Sequence, residues 1–337
     1  MLRFGTIGTG WITRSMIEGA RRYPALLRHT AVCSRDASRG AAFAREVCPQ
    51  DPPAVFTDPL SLARSDAIDM VYIASPNVCH TAQARLFLQN GKHVLCEKPL
   101  SADPAEVAAL QALAAQRGLL FREAIMLLYQ PQLDVLAQAV AACGQIRTAR
   151  FQFCQLSSKY EAYCRGEVPN IFSPAMHTGA LMDLGVYCVY PAVRLFGEPQ
   201  RVQAMSSFLR TGADGATTAL LECGGTLVTV CCDKTAQGFA ESEIAGDGGT
   251  VTVGQISTLG DIRLHRRGEP AQVLSGTEEK SVLMGREIAA FAAVIEQGRT
   301  AQNEIDALAL SVSRVMRMIR RQAGIRFPGG EEGERHG

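Results

Sequence analysis

Apolar positions in the first 122 residues fall into short runs that alternate between two periods. Residues 2–7, 29–34, 54–56, 68–74, 92–96 and 119–122 read as extended. The run 68–74 is largely apolar throughout, as in a strand buried on both faces. Helical spacing lies between these runs. Residues 11–22 place Ile12, Met16 and Ala20 four apart, and 37–47 form a second helix that ends before Pro49. A turn or two of helix starts at Asp58, and Asn77 caps a helix that runs to Asn90-Gly91. Asp103-Pro104-Ala105-Glu106 combines a cap, a first-turn proline and a third-position Glu, opening a helix that closes at Arg117-Gly118. This βαβ rhythm predicts a doubly wound parallel sheet with right-handed crossovers and ligands at the carboxyl ends of its strands.

From about residue 123 the pattern changes. A helical stretch over 123–142 is interrupted by Pro131, and then strict alternation sets in: Ala149, Phe151 and Phe153 against Arg150, Gln152 and Cys154. Further strands are expected near 201–208, 217–223, 226–233, 240–245, 249–254 and 261–266, several separated by glycine turns, with helices near 178–196, 285–297 and 302–322. The fold class is therefore α/β followed by α+β. A Rossmann-type domain over 1–122 precedes a domain over 123–327 built on an open, mainly antiparallel sheet with helices on one face. The Gly- and Glu-rich tail 328–337 reads as disordered. Apolar residues occupy both alternations of 226–232, Leu227 on one and Val228 and Val230 on the other. A second copy of the chain would cover the outer face, so a homodimer or a dimer of dimers through this sheet is expected.

Composition narrows the field. A length of 337 residues suits two domains, and a formal net charge of +1 gives no reason to expect a nucleic acid or anionic membrane partner. No stretch approaches the roughly 18 apolar residues of a membrane span, and the chain enters its first strand without a leader-like segment. The eleven cysteines are odd in number and mostly in apolar runs, without C-x-x-C spacing. They read as reduced, buried thiols of a cytoplasmic protein with no metal site.

The chemistry begins at Gly8-Thr9-Gly10, between the first strand and the first helix. The first glycine allows a tight turn, the second lets backbone approach a pyrophosphate, and the helix that follows aims free N–H groups at the charge. The third small residue of the full fingerprint is replaced by Thr13, a change expected to act on helix–strand packing. The second strand ends Cys33-Ser34-Arg35-Asp36, with Arg39 one turn on. A cation and a small polar neighbour at that place accommodate the extra phosphate of NADP, and Asp36 reads as a helix cap. NADP is the preferred cofactor and NAD remains open. The fifth strand ends Cys96-Glu97-Lys98-Pro99, where the proline restricts Lys98 and makes a mount for a directed ammonium.

Gly8-Thr9-Gly10, Ala74-Ser75-Pro76-Asn77 with His80, Glu97-Lys98-Pro99, and the stretch from Gly179 to Tyr187 occur in an order and spacing that resemble the Gfo/Idh/MocA oxidoreductases. The likeness runs to about residue 325. Its Asp-x-Gly-x-Tyr ending is similar to the dimeric dihydrodiol dehydrogenase and NADP-dependent xylose dehydrogenase branch, whereas inositol dehydrogenases of the family carry His where this chain has Tyr187. The resemblance implies NAD(P)-dependent oxidation of a secondary alcohol, or reduction of a carbonyl, on a sugar, polyol or cyclic diol. It also implies a cis peptide before Pro99. The expected cofactor contacts are Gly8, Thr9, Gly10, Trp11, Ile12, Ser34, Arg35, Arg39, Ser75, Asn77, His80, Glu97 and Lys98.

Hydride transfer to a carbonyl leaves an alkoxide that needs a proton and nearby positive charge. Tyr187 is the expected proton donor. A free phenol ionises near pH 10, roughly, and an adjacent Lys98 would favour the phenolate. Asp183, four residues before Tyr187 on the same helix face, would pair with Lys98 or hold a substrate hydroxyl. His177 and Thr178 depart from the family pattern and are candidate pocket residues, with Lys159, Tyr160 and Arg165 as further substrate-side candidates. Two rivals use the same residues differently: a glycoside hydrolase that retains NAD, and a nucleotide-binding sensor without turnover.

Overall fold

The computed structural model describes residues 1–300 and 303–328; the tail expected over 328–337 lies outside the described residues except for Pro328. In chain order the N-terminal elements are β1 (Leu2–Ile7), α1 (Trp11–Ala20), β2 (Leu27–Cys33), α2 (Ala37–Val47), β3 (Ala54–Phe56), α3 (Pro59–Arg64) and β4 (Met70–Ile73). They continue with α4 (His80–Gln89), β5 (His93–Glu97), α5 (Pro104–Gln116), β6 (Phe121–Ala124) and α6 (Gln132–Ala141). The six strands form one sheet in the order β3-β2-β1-β4-β5-β6 with every pairing parallel.

Three helices start where an aspartate caps them. Asp36 accepts from the Arg39 N–H, Asp58 from Ser61 and Asp103 from Ala105. Asn77 is not a helix cap. Residues Asn77–Cys79 form a 3₁₀ turn, closed by a Cys79 N–H to Pro76 carbonyl bond, and the α-helix starts at His80. The strand expected at 119–122 begins instead at Phe121. Gly118, at φ 65°, ends α5, and the Leu119 N–H bonds back to the Ala114 carbonyl, so residue 119 belongs to the helix stop. The helical stretch expected over 123–142 divides into the end of β6, a 3₁₀ turn at Met126–Tyr129, and α6.

The second half contains β7 (Ile146–Cys154), α7 (Tyr160–Cys164), a π-helical turn at Leu181–Gly185, α8 (Val186–Phe196), β8 (Arg201–Phe208) and β9 (Asp214–Cys223). It goes on through β10 (Thr226–Asp233), β11 (Ser242–Gly246), β12 (Gly249–Gln255), β13 (Gly260–His265), β14 (Gln272–Ser275), α9 (Lys280–Glu296) and α10 (Glu304–Gln322). β7 to β14 make an eight-stranded sheet, β14-β13-β12-β11-β7-β10-β9-β8, antiparallel except for the parallel β7–β10 pair. The π turn and α8 cover one face, burying Val228, Val230 and Cys232 of β10, while Leu227 points to the other side and is 46% exposed.

The chain forms two compact units, Met1–Asp134 with Thr277–Leu310, and Val135–Gly276 with the segment from Ser311. The expected division at 122/123 therefore differs from the observed one, most of all for 277–310. Two contacts hold that segment in the first unit. A Cβ on Gly19 would lie 2.6 Å from the Gly285 nitrogen, so α1 and α9 touch backbone to backbone, and Gln111 donates to the Asp306 carbonyl at 2.8 Å. One further expectation needs correcting. Pro174–Phe196 is long and apolar enough, by length and composition, to cross a membrane. Most of it is buried inside the fold, as the core helix over the second sheet.

Candidate active site

In the first unit β1 delivers the chain to Gly8, at φ 105°, where a Cβ would stand 2.6 Å from the Ala74 carbonyl oxygen. Only glycine fits there. Gly10 is the N-cap of α1 and has open space where its Cβ would be. The helix has no side-chain cap bond and no acid in its first turn. This is a cradle with room for a phosphate and N–H groups to meet it. Thr13 is fully buried behind the turn and its hydroxyl has no hydrogen-bond partner among the described residues. A Gly8 Cβ would be 3.6 Å from that hydroxyl, which places Thr13 in the helix–strand contact. At the end of β2, Ser34 Oγ donates to the Asp36 carbonyl, while Arg35 and Arg39 are exposed.

The β4 and β5 ends are tied together by His80. Its Nδ1 lies 2.9 Å from the Pro99 carbonyl and its Nε2 2.8 Å from the Ser75 carbonyl, and the side chain is 1% exposed. Both ring nitrogens face backbone carbonyls, so His80 is a strut between two site loops. Burial lowers its pKa against the pull of the two carbonyls. Glu97 is likewise engaged within the protein, accepting from the buried Tyr72 hydroxyl and from the Lys98 N–H. The Lys98–Pro99 peptide is cis. Leu100 N–H donates to buried Glu123, completing the mount that presents Lys98 at the carboxyl end of β5. Ser75 Oγ bonds Gln83, and His93 accepts from the Leu120 N–H as a structural residue.

In the second unit the π turn carries Asp183, and α8 carries Tyr187. The turn is π-helical, not the regular helix expected over 178–196, and such bulges often occur at functional sites. Gly185 lets the turn lie close on the sheet: a Cβ there would be 3.2 Å from Cys232 Sγ of β10. The partner missed by sequence reasoning is Lys234, just past β10. It is 4% exposed, ion-pairs with Asp183, donates to the Ile171 carbonyl at 2.9 Å and lies over the Phe172 ring. Lys234 is 51 residues from Asp183 in sequence, and no local spacing links them.

Behind them Asp214 is fully buried. It accepts from the Leu181 N–H at 2.7 Å and the Thr217 hydroxyl at 2.8 Å, anchoring the π turn. Burial, with nearby Asp183 adding to it, pushes its pKa up to about 6. Tyr187 is 8% exposed, with its ring edge-on to Phe153 at 5.7 Å between centroids. Tyr160 meets Phe172 edge-on at 6.1 Å, which joins it to the Lys234–Asp183 pair through one aromatic ring. Lys159 is exposed beside it. His177, at φ 55°, stacks on buried Phe327 at 4.9 Å. Thr178 donates to the Asn170 carbonyl at 2.6 Å. Arg165 makes surface ion pairs with Glu161 and Glu167, which accounts for it without a substrate.

Comparison with known proteins places these features in a family. Residues 2–124 match the model of an oxidoreductase family with an NAD-binding Rossmann fold, and residues 137–252 match the GFO/IDH/MocA C-terminal domain. The chain is 37% identical to the uncharacterized oxidoreductase YgjR of Escherichia coli, covering 97% of this chain and 98% of the other. It is 34% identical to scyllo-inositol 2-dehydrogenase (NADP(+)) IolU of Bacillus subtilis, covering 97% and 99%. Among solved structures, the 3-ketoreductase KijD10 of Actinomadura kijaniata, in complex with TDP-benzene and NADP, superposes with a TM-score of 0.81 at 26% identity, covering 95% and 96%. With a glycine cradle at β1, a lysine mounted at β5 and likeness to relatives over nearly its whole length, the chain belongs to the GFO/IDH/MocA oxidoreductase family.

Proposed function

We propose that this protein is a cytoplasmic, NADP-preferring dehydrogenase that interconverts a secondary alcohol and a carbonyl on a polyol, cyclic diol or sugar. The observation that carries the reading is the pairing, on one parallel sheet, of the open Gly8–Gly10 cradle with the Lys98 mount at the strands' carboxyl ends. The dinucleotide supplies or accepts the hydride. Gly8, Thr9, Gly10 and the first turn of α1 bind its pyrophosphate, with Trp11 and Ile12 beside it and Ser75 and Asn77 toward the nicotinamide. Ser34, Arg35 and Arg39 receive the 2′-phosphate, as the exposure of both guanidinium groups allows.

Tyr187 passes the proton to or from the substrate oxygen, and Lys98 stabilises the negative charge that builds there. Asp183, its carboxylate oriented by Lys234, takes a neighbouring substrate hydroxyl. Tyr160, His177 and Lys159 line the substrate side. The eleven free thiols support a reducing compartment. As an assembly we propose a homodimer or dimer of dimers through the open sheet face.

Screening polyols, aldoses and trans-diols with NADP⁺, and the matching carbonyl compounds with NADPH, tests the reaction. Lys98→Ala and Tyr187→Phe should each lower kcat by about a hundredfold or more on any accepted substrate. Unchanged turnover in the Lys98→Ala protein would refute the scheme.

A further inference from the structure

Trp11 is the only tryptophan in the chain and follows the phosphate turn directly, yet it is 62% exposed. Its indole is met by Lys280, the first residue of α9, whose Nζ lies 4.5 Å from the ring centroid. The close α1–α9 crossing at Gly19 and Gly285 fixes the start of α9 beside α1. The charged groups that face the Lys280 ammonium are Lys98 and Glu97 from the end of β5 and Glu287 from α9 itself.

Burial first, then Lys98, lowers the Lys280 pKa to about 8. The two carboxyls offset this only partly. Glu287 is fully buried, and burial raises its pKa well above the ordinary value, while Glu97 accepts from the Tyr72 hydroxyl and the Lys98 N–H. Lys280 and Trp11 thus stand together at a helix N-terminus that has no side-chain cap bond and no acid in its first turn. An ammonium beside free helix N–H groups adds to their attraction for an anion.

We infer that Lys280 is a further dinucleotide-binding residue, its ammonium steadied on the Trp11 indole and pairing with a pyrophosphate oxygen laid on the Gly8–Gly10 turn. The inference rests on the proposed function, because it takes the cradle to be a working nucleotide site. The contact is equally available before and during hydride transfer, so it acts on binding and not on kcat.

Isothermal titration calorimetry with NADP⁺ and NAD⁺ on the wild type, Lys280→Met, Lys280→Gln and Lys280→Arg tests it. A lost charge-assisted hydrogen bond should raise Kd about tenfold or more in the Met and Gln proteins. Their log Kd should also depend less steeply on log salt, and Arg should restore most of the affinity. The emission of Trp11 in the nucleotide-free Met protein should differ from wild type, showing that the contact has been removed. Melting midpoints of the variants identify any that fail to fold, in which case the remaining substitutions carry the comparison. Wild-type binding with Kd values in the folded Met or Gln protein within twofold of it would overturn the role of Lys280. A wild-type protein that binds neither nucleotide would overturn the proposed function, and this inference with it.

Discussion

Single residues divide the site into what charge does and what shape does. Arg35 and Arg39 are exposed on either side of the Asp36 cap, so their guanidinium groups can meet a phosphate with little rearrangement. Replacing both by Ala should cut kcat/KM for NADP⁺ by about tenfold or more and leave that for NAD⁺ nearly unchanged; steady-state kinetics with the two nucleotides measures the ratio. If NAD⁺ bound tighter than NADP⁺ in the wild type, the role given to Arg35 would fail. Lys234 poses the opposite case, a cation already paired and 4% exposed. Lys234→Met removes a buried cation and its ion pair with the half-buried Asp183 carboxylate, a loss of about 2 kcal/mol. Denaturant titration should show that loss, and adding Asp183→Asn should recover part of it without recovering activity. Recovery of activity in the double variant would mean that the pair serves folding alone.

Elements show which features a linear reading reaches. Parallel strands buried on both faces leave continuous apolar runs, and Asp caps with nearby prolines punctuate the helices between them. α2 at Ala37–Val47 is accordingly legible to the residue from Asp36 and Pro49. β14 at Gln272–Ser275 is not, because an edge strand of two exposed and two half-buried residues has no buried face to set a period. The parallel β7–β10 pairing is equally hidden, since it joins segments about 80 residues apart through hydrogen bonds that no periodicity records. The π turn packs closely on β10 at Gly185, again a non-local contact. Its anchor, Asp214, carries a pH signature. A folded-state pKa of about 6, above the unfolded value of 3.8, means that the folded protein holds the extra proton. This contribution is complete below pH 3.8 and is lost as pH rises through about 6. Relative to Asp214→Asn, the wild type should lose about 2 kcal/mol of stability between pH 4 and pH 7. Thermal unfolding of both proteins across that range measures it, and parallel pH profiles would show that Asp214 does not titrate as inferred.

For the whole chain, the question left by its pattern is what covers the second sheet. Strand register puts Leu227 and Thr229 of β10 beside Glu222 and Leu220 of β9, and Gln203 and Met205 of β8 beside Leu220 and Thr218. Directly paired residues share a face, so Leu220, Leu227 and Met205 form one outward set, exposed by 41%, 46% and 81%. Arg150 of β7 pairs with Thr229 on one side and Glu243 of β11 on the other, so the same face carries both charge signs next to its apolar centre. In the proposed dimer, a two-fold axis through this face would bring the apolar sets of the two copies together, with both charge signs beside them. Burying the set removes apolar side chains that water otherwise wets, at roughly 25 cal/mol per Å². Sedimentation velocity at micromolar concentration should therefore give twice the chain mass. Leu220→Lys with Leu227→Lys should give the single chain mass, with the far-UV circular dichroism spectrum unchanged, because both side chains point away from the α8-covered core. A wild-type protein that sediments as a single chain would remove the sheet-mediated dimer.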